Sequence, residues 1–122
     1  VVTGVQTCAL PIFDYEKAFI DYRDRIFQVH AKDMEVSKEK LSYYSILGKQ
    51  LNKKDGEDSG WWKGRIPGKG QINWSKFIGM LKKYNYNGVL SIEHEDEDYE
   101  KEESKIKEGL IYSIKHLRKS GI

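Results

Sequence analysis

Helical and extended periodicities take turns along this chain, and that alternation restricts its fold more than any other feature. Tyr15, Ala18, Phe19 and Tyr22 stand at i, i+3, i+4 and i+7, an apolar stripe at helical spacing, with Asp14 placed to cap it. Arg25–His30 follows as a short strand with apolar Phe27 and Val29 on one face. Trp74, Phe77, Ile78 and Leu81 repeat the helical spacing after Asn73, a second cap. Gly88–Glu93 is a second strand, and Glu102–Arg118 a last helix with Ile106, Leu110, Ile114 and Leu117 as its expected buried stripe. The pattern fades from Ala31 to Gly70, where Lys38–Leu47 has room for one or two helical turns and the polar, Gly-containing run 52–60 reads as a loop. The order α-β-long loop-α-β-α predicts an α/β fold with a parallel sheet, because parallel strands need a long crossover, usually a helix. Connections of some 40 residues are uncommon and usually functional.

Charge and length narrow the classes. The 122 residues carry 21 Lys and Arg against 19 Asp and Glu, a net charge of +2. So balanced a chain has no electrostatic reason to hold nucleic acid or an anionic membrane surface. No run approaches the roughly 20 apolar residues of a membrane span. A single cysteine excludes an internal disulfide framework. Every charged residue falls after position 12, and residues 2–12, VTGVQTCALPI, resemble the translation of a short-read sequencing adapter. On that resemblance residues 1–12 are expected to be a read-through artefact outside the domain, Cys8 not to be native, and the domain to occupy residues 13–122.

The two strands end alike. Alternation places His30 with Gln28 and Ile26 on one face, and Glu93 with Ser91 and Val89 on the corresponding face of the other strand. Phe27, Val29, Leu90 and Ile92 take the opposite faces, suited to covering helices. Each strand therefore delivers a metal-capable group at its C-terminal end, with Lys32 and Glu95 next in the same parity. Imidazole and carboxylate are ordinary partners for a divalent metal. The acidic run from Glu93 to Asp98, taken alone, reads as a solvated loop, and two residues do not complete a metal site. His94 has the wrong parity for a ligand, and His116 on the last helix is expected to face solvent.

Three ordered segments resemble the sugar phosphate isomerase/epimerase family, the xylose isomerase-like (β/α)₈ barrels also grouped with the family-2 AP endonucleases. Ile26–Asp33, IFQVHAKD, is similar to the family's seventh strand. Gly60–Trp74, GWWKGRIPGKGQINW, looks like its R-x-P-G-x-G-x-hydrophobic-D-W segment, with Asn73 in place of the Asp. Tyr86–Asp96, YNGVLSIEHED, resembles its eighth strand. A whole barrel needs roughly 250 residues. The resemblance therefore implies the C-terminal part of the barrel, about strands 7–8 with flanking helices. It implies His30 and Glu93 as two of four ligands to a divalent metal (Mn²⁺, Co²⁺, Mg²⁺ or Zn²⁺), the other two lying upstream. Glu93 is then also the catalytic acid/base in a proton transfer next to a carbonyl, through a cis-enediolate. Lys32, Arg65, Trp61 and Trp62 are the implied substrate contacts: Lys32 and the guanidinium fork of Arg65 for oxygens, the indoles for a sugar face. Asp33 is expected to orient Lys32 or the loop.

The expected function is that of a fragment of a metal-dependent sugar or sugar phosphate isomerase or epimerase, cytoplasmic, acting in carbohydrate metabolism on a small-molecule sugar, with no nucleic-acid or membrane partner. The alternatives are a related dehydratase or keto-glycoside-cleaving enzyme on the same barrel, and a truncated chain that is itself inactive. Apurinic endonuclease activity is disfavoured by the near-neutral charge and the single strand-end histidine.

Overall fold

The computed structural model describes residues 5–6, 15–44 and 60–122. Among these described residues, five strands and four helices follow in the order β1 (Val5–Gln6), α1 (Tyr15–Tyr22), β2 (Gln28–Ala31), β3 (Asp33–Val36), α2 (Lys38–Tyr44), β4 (Trp62–Arg65), α3 (Trp74–Lys83), β5 (Val89–Ile92) and α4 (Glu103–Lys119). A 3₁₀ turn at Arg23–Arg25 joins α1 to β2. The expected cap Asp14, the tail of the expected 38–47 helix beyond Tyr44, and the loop residues 52–59 lie outside the described residues. So do residues 1–4 and 7–12 of the adapter-like segment.

The expected parallel sheet is present. β2 lies between β1 and β5, parallel to both, and Gln28, Val29, His30 and Ala31 stand opposite Val89, Leu90, Ser91 and Ile92. Covering helices pack on the Val29 and Ala31 face. Phe19 of α1, Trp74, Phe77, Ile78, Met80 and Leu81 of α3 and Leu117 of α4 form one core with those two residues and Ile26. Tyr15, Trp74 and Phe77 interlock their rings at 5.6–5.9 Å, a spacing at which tilted aromatic pairs attract. The Asn73 side chain accepts from the Lys76 backbone N–H at 2.9 Å and caps α3 as expected.

Three expectations need correction. The strand expected over Arg25–His30 begins only at Gln28. Alternation therefore does not extend to its neighbours: Ile26, expected beside His30, is buried in the core, and Phe27, expected inside, is 65% exposed. The long connection is not featureless, since β3 and β4 pair antiparallel within it, Asp33 opposite Arg65 and Val36 opposite Trp62. The buried line of α4 is also rotated. Gly109, Ser113 and Leu117 face inward, whereas Ile106 and Leu110 are half-buried and Ile114 is exposed. Small residues win the inner face because the chain approaches closely there. A Cβ on Gly109 would stand 2.8 Å from His94 Nε2 and 3.1 Å from the Tyr99 ring.

Candidate functional site

At the C-terminal ends of β2 and β5 the chain makes the same choice twice in succession. One residue goes to the open face of the sheet and the next goes inward. On the open face, Gln28 Nε2 donates to Ser91 Oγ at 2.7 Å across the two strands. One step further along, His30 Nδ1 lies 3.2 Å from Glu93 Oε2. Lys32 Nζ then donates to Glu93 Oε1 at 3.0 Å and also to Glu95 Oε2. The backbone supports this arrangement, with Glu93 N–H donating to Ala31 C=O at 3.1 Å as the ladder ends. Four polar residues from two adjacent parallel strand ends thus share one mouth, as their parity predicts.

Charge is held firmly in this group. The Lys32 side chain is only 9% exposed. Burial pulls its ammonium down, but hydrogen bonds and charge interactions with Glu95 and Glu93 more than offset this, and its pKa stands above the ordinary lysine value. Burial pushes the Glu93 carboxyl up, yet Lys32 and His30 together hold it below the ordinary carboxylate range. Glu93 is anionic and Lys32 cationic across the neutral range.

The inward residues have a different task. Asp33 is fully buried and accepts four hydrogen bonds: from the N–H groups of Met34 at 2.9 Å, Gly68 at 2.9 Å and Ile72 at 3.0 Å, and from Trp74 Nε1 at 2.8 Å. It ties the segment between β4 and α3 to the start of β3, and so orients that loop. The tie leaves no spare room, because a Cβ on Gly70 would stand 2.5 Å from Met34 C=O and 2.6 Å from Asp33 Cγ. Gly68 has φ +92°, a conformation that favours glycine. The His116 ring closes over it, with Nδ1 2.6 Å from where a Cβ would sit. His116 is therefore half-buried and stacked on Tyr112, not turned to solvent as expected.

Asp96 repeats the pattern beyond the end of β5. It is 1% exposed and accepts from Ile66 N–H, Arg65 Nη1 and Asp98 N–H, each at 3.1 Å. The acidic run is thus not a uniformly solvated loop, since one of its members is a buried acceptor. Sequence reasoning missed this carboxylate. The signal was its parity, opposite to Glu95, together with a Gly- and Pro-rich segment whose loop N–H groups need acceptors.

The expected site residues fall into two sets. His30, Lys32 and Glu93 converge. Arg65 is placed elsewhere: its Nε and Nη2 donate to Glu35 at 2.9 and 2.8 Å, and its Nη1 to Asp96 at 3.1 Å and Asp98 at 2.6 Å. Those ion pairs hold the guanidinium pKa far above its ordinary value, against the opposing effect of burial. Trp61 and Trp62 are half-buried. The Trp61 carbonyl accepts from Ser37 N–H at 2.7 Å, and Trp62 shares a strand face with Gly64, which abuts Glu95.

A divalent metal needs deprotonated donors, and an imidazole with an anionic carboxylate supplies two of the right kind. Among the described residues no group of three or more His, Cys, Asp or Glu stands together to hold a metal. His30 and Glu93 fit as part of a ligand set, and the Lys32 ammonium opposes a cation there.

An α/β chain with a parallel sheet, helices on one face and polar side chains gathered at the strand C-termini has the architecture of an α/β barrel segment. The family model described as xylose isomerase-like TIM barrel matches residues 7–119, and the chain belongs to that family. Comparison with curated proteins finds none that matches. Among the described residues no helix is long and apolar enough to cross a membrane.

Proposed function

We propose that the chain carries strands 7 and 8 of its barrel, as β2 and β5, and contributes to a metal-dependent sugar or sugar phosphate isomerase or epimerase. The observation that supports this reading is the convergence of His30 and Glu93, from adjacent parallel strands, within 3.2 Å of each other. His30 and Glu93 would hold a divalent cation. When bound, that cation supplies Lewis-acid polarisation of a substrate carbonyl or hydroxyl. Glu93, kept anionic by Lys32 and His30, is in the form that both a ligand and a proton acceptor require. Lys32 is the cation nearest that carboxylate and the best placed of the expected contacts to meet a substrate oxygen. Trp62 is the better placed of the two indoles to flank a sugar face, by its strand face beside Glu95. Arg65, with its donors committed to three carboxylates, contributes to substrate binding through the segment it anchors.

Two measurements test the reading, the first on this chain and the second on a barrel completed by strands that carry the other two ligands. Calorimetric titration with Mn²⁺ is expected to show binding that His30→Ala and Glu93→Gln abolish while circular dichroism stays unchanged. Solvent deuterium is expected to enter keto-sugars at the carbon next to the carbonyl, and Glu93→Gln is expected to stop it. Deuterium uptake that is indifferent to Glu93→Gln would remove Glu93 from the proton-transfer role. Loss of water from the sugar without exchange would point to the dehydratase alternative.

A further inference from the structure

Lys32 presents a difficulty that the metal reading does not resolve by itself. Its ammonium donates to Glu93 Oε1 at 3.0 Å, on the carboxylate that would coordinate the cation. Two like charges on one carboxylate repel strongly in a half-buried setting. Nor is Lys32 free to withdraw into water, since its side chain is 9% exposed and enclosed at the end of β2. A second acceptor does exist. Lys32 Nζ also reaches Glu95 Oε2, and Glu95 is the more exposed of the two carboxylates, at 49% against 25%. The Glu95 arm is held in position by β4, where Gly64 lets its backbone carbonyl and Cγ approach: a Cβ on Gly64 would stand 2.9 and 3.3 Å from them.

We propose that Lys32 is a built-in counter-ion shared between Glu93 and Glu95, and that Glu95 is the positioning residue that takes it over when a divalent cation binds at Glu93. The inference rests on the reading of His30 and Glu93 as metal ligands. In the metal-free protein the ammonium neutralises Glu93 and prevents two carboxylates from facing each other uncompensated. On binding, the cation replaces the ammonium at Glu93, and Lys32 keeps a full ion pair with Glu95 without crossing solvent. Glu95 thus tunes metal affinity without being a ligand, and Lys32 sets the threshold that a cation must exceed.

The test is a double-mutant cycle read by Mn²⁺ affinity, measured by calorimetry and by the electron paramagnetic resonance signal of free Mn²⁺. Glu95→Gln keeps the shape and removes the second acceptor charge, so Lys32 stays on Glu93 and affinity falls by about tenfold. Lys32→Met keeps the buried stem and removes the competitor, so affinity rises by about tenfold. Adding Glu95→Gln to Lys32→Met is expected to change nothing further, and Lys32→Gln serves as a second charge-removing variant should the methionine perturb folding. Unchanged affinity in Glu95→Gln would overturn the proposal. So would an equal loss in the Lys32→Met background, because Glu95 would then act on the metal directly. Mn²⁺ binding that is absent, or that survives both His30→Ala and Glu93→Gln, would instead show that the metal site itself is misplaced, and the counter-ion role would fall with it.

Discussion

Lys32 and Asp33 are neighbours, as are Glu95 and Asp96, and within each pair the two residues behave in opposite ways. Lys32 and Glu95 meet each other and Glu93 at the open mouth of the strands. Asp33 and Asp96 turn inward, at 0% and 1% exposure, and hold loop N–H groups. Lys32 and Asp33 stand just past the end of β2, and Glu95 and Asp96 beyond the end of β5, where consecutive side chains still turn to opposite sides. An ammonium that already reaches two carboxylates can exchange one for the other at small cost. A buried carboxylate that accepts three or four hydrogen bonds cannot, because each abandoned donor would be left without water. The open face is therefore suited to chemistry and the inner face to architecture, and both are set by single-residue steps along the same strand ends.

The largest effect should come from breaking the inner face at Asp33. Asp33→Ala orphans four donors, among them the Trp74 indole N–H. At roughly 1–3 kcal/mol each, a loss of at least about 4 kcal/mol is expected in urea unfolding, enough to unfold a marginal domain. A loss below about 1 kcal/mol would mean that Asp33 does not organise the loop. Asp96→Asn comes next. It replaces an acceptor of three hydrogen bonds and the partner of Arg65, with an expected cost of roughly 2–3 kcal/mol in the same assay.

The open face should show itself in pH dependence rather than in bulk stability. Glu93 has a folded pKa below its unfolded value, so its contribution is present above the ordinary carboxylate range and is lost as pH falls through the folded pKa. Lys32 has a folded pKa above its unfolded value, so its contribution is present below the ordinary lysine range and is lost as pH rises through the folded pKa. Thermal melts across pH should therefore fall off at both the acid and the alkaline end, and Lys32→Met should flatten both limbs. A variant whose limbs match the unmodified protein would separate Lys32 from Glu93. The smallest effect belongs to Glu97→Gln, one residue from Asp96, which removes a half-exposed pair with Lys63 at 3.0 Å. A change within about 0.5 kcal/mol is expected, and the contrast with Asp96→Asn measures what the burial of a neighbouring carboxylate is worth.

Much of this was legible in the residues themselves. The helical stripe of α3, that of α1 except for Tyr22, which is 52% exposed, and the cap at Asn73 are local patterns, as is the parity that brings His30 and Glu93 to one face. Local covalent geometry sets each of these, so spacing alone reveals them. The β3–β4 pair was not legible. Its partners lie about 30 positions apart, and strand pairing over such separations is decided by hydrogen bonds that no local period encodes. Periodicity likewise misplaced the buried line of α4 except at Leu117, because it ranks residues by hydrophobicity. What selects the inner face is clearance, and the close approach of His94 and Tyr99 admits Gly109 where an isoleucine would not fit. The burial of Asp33 and Asp96 belongs to the same category. A carboxylate is stable without water only where enough N–H groups converge on it, and that convergence exists only once the segment between β4 and α3 has folded across the ends of both strands.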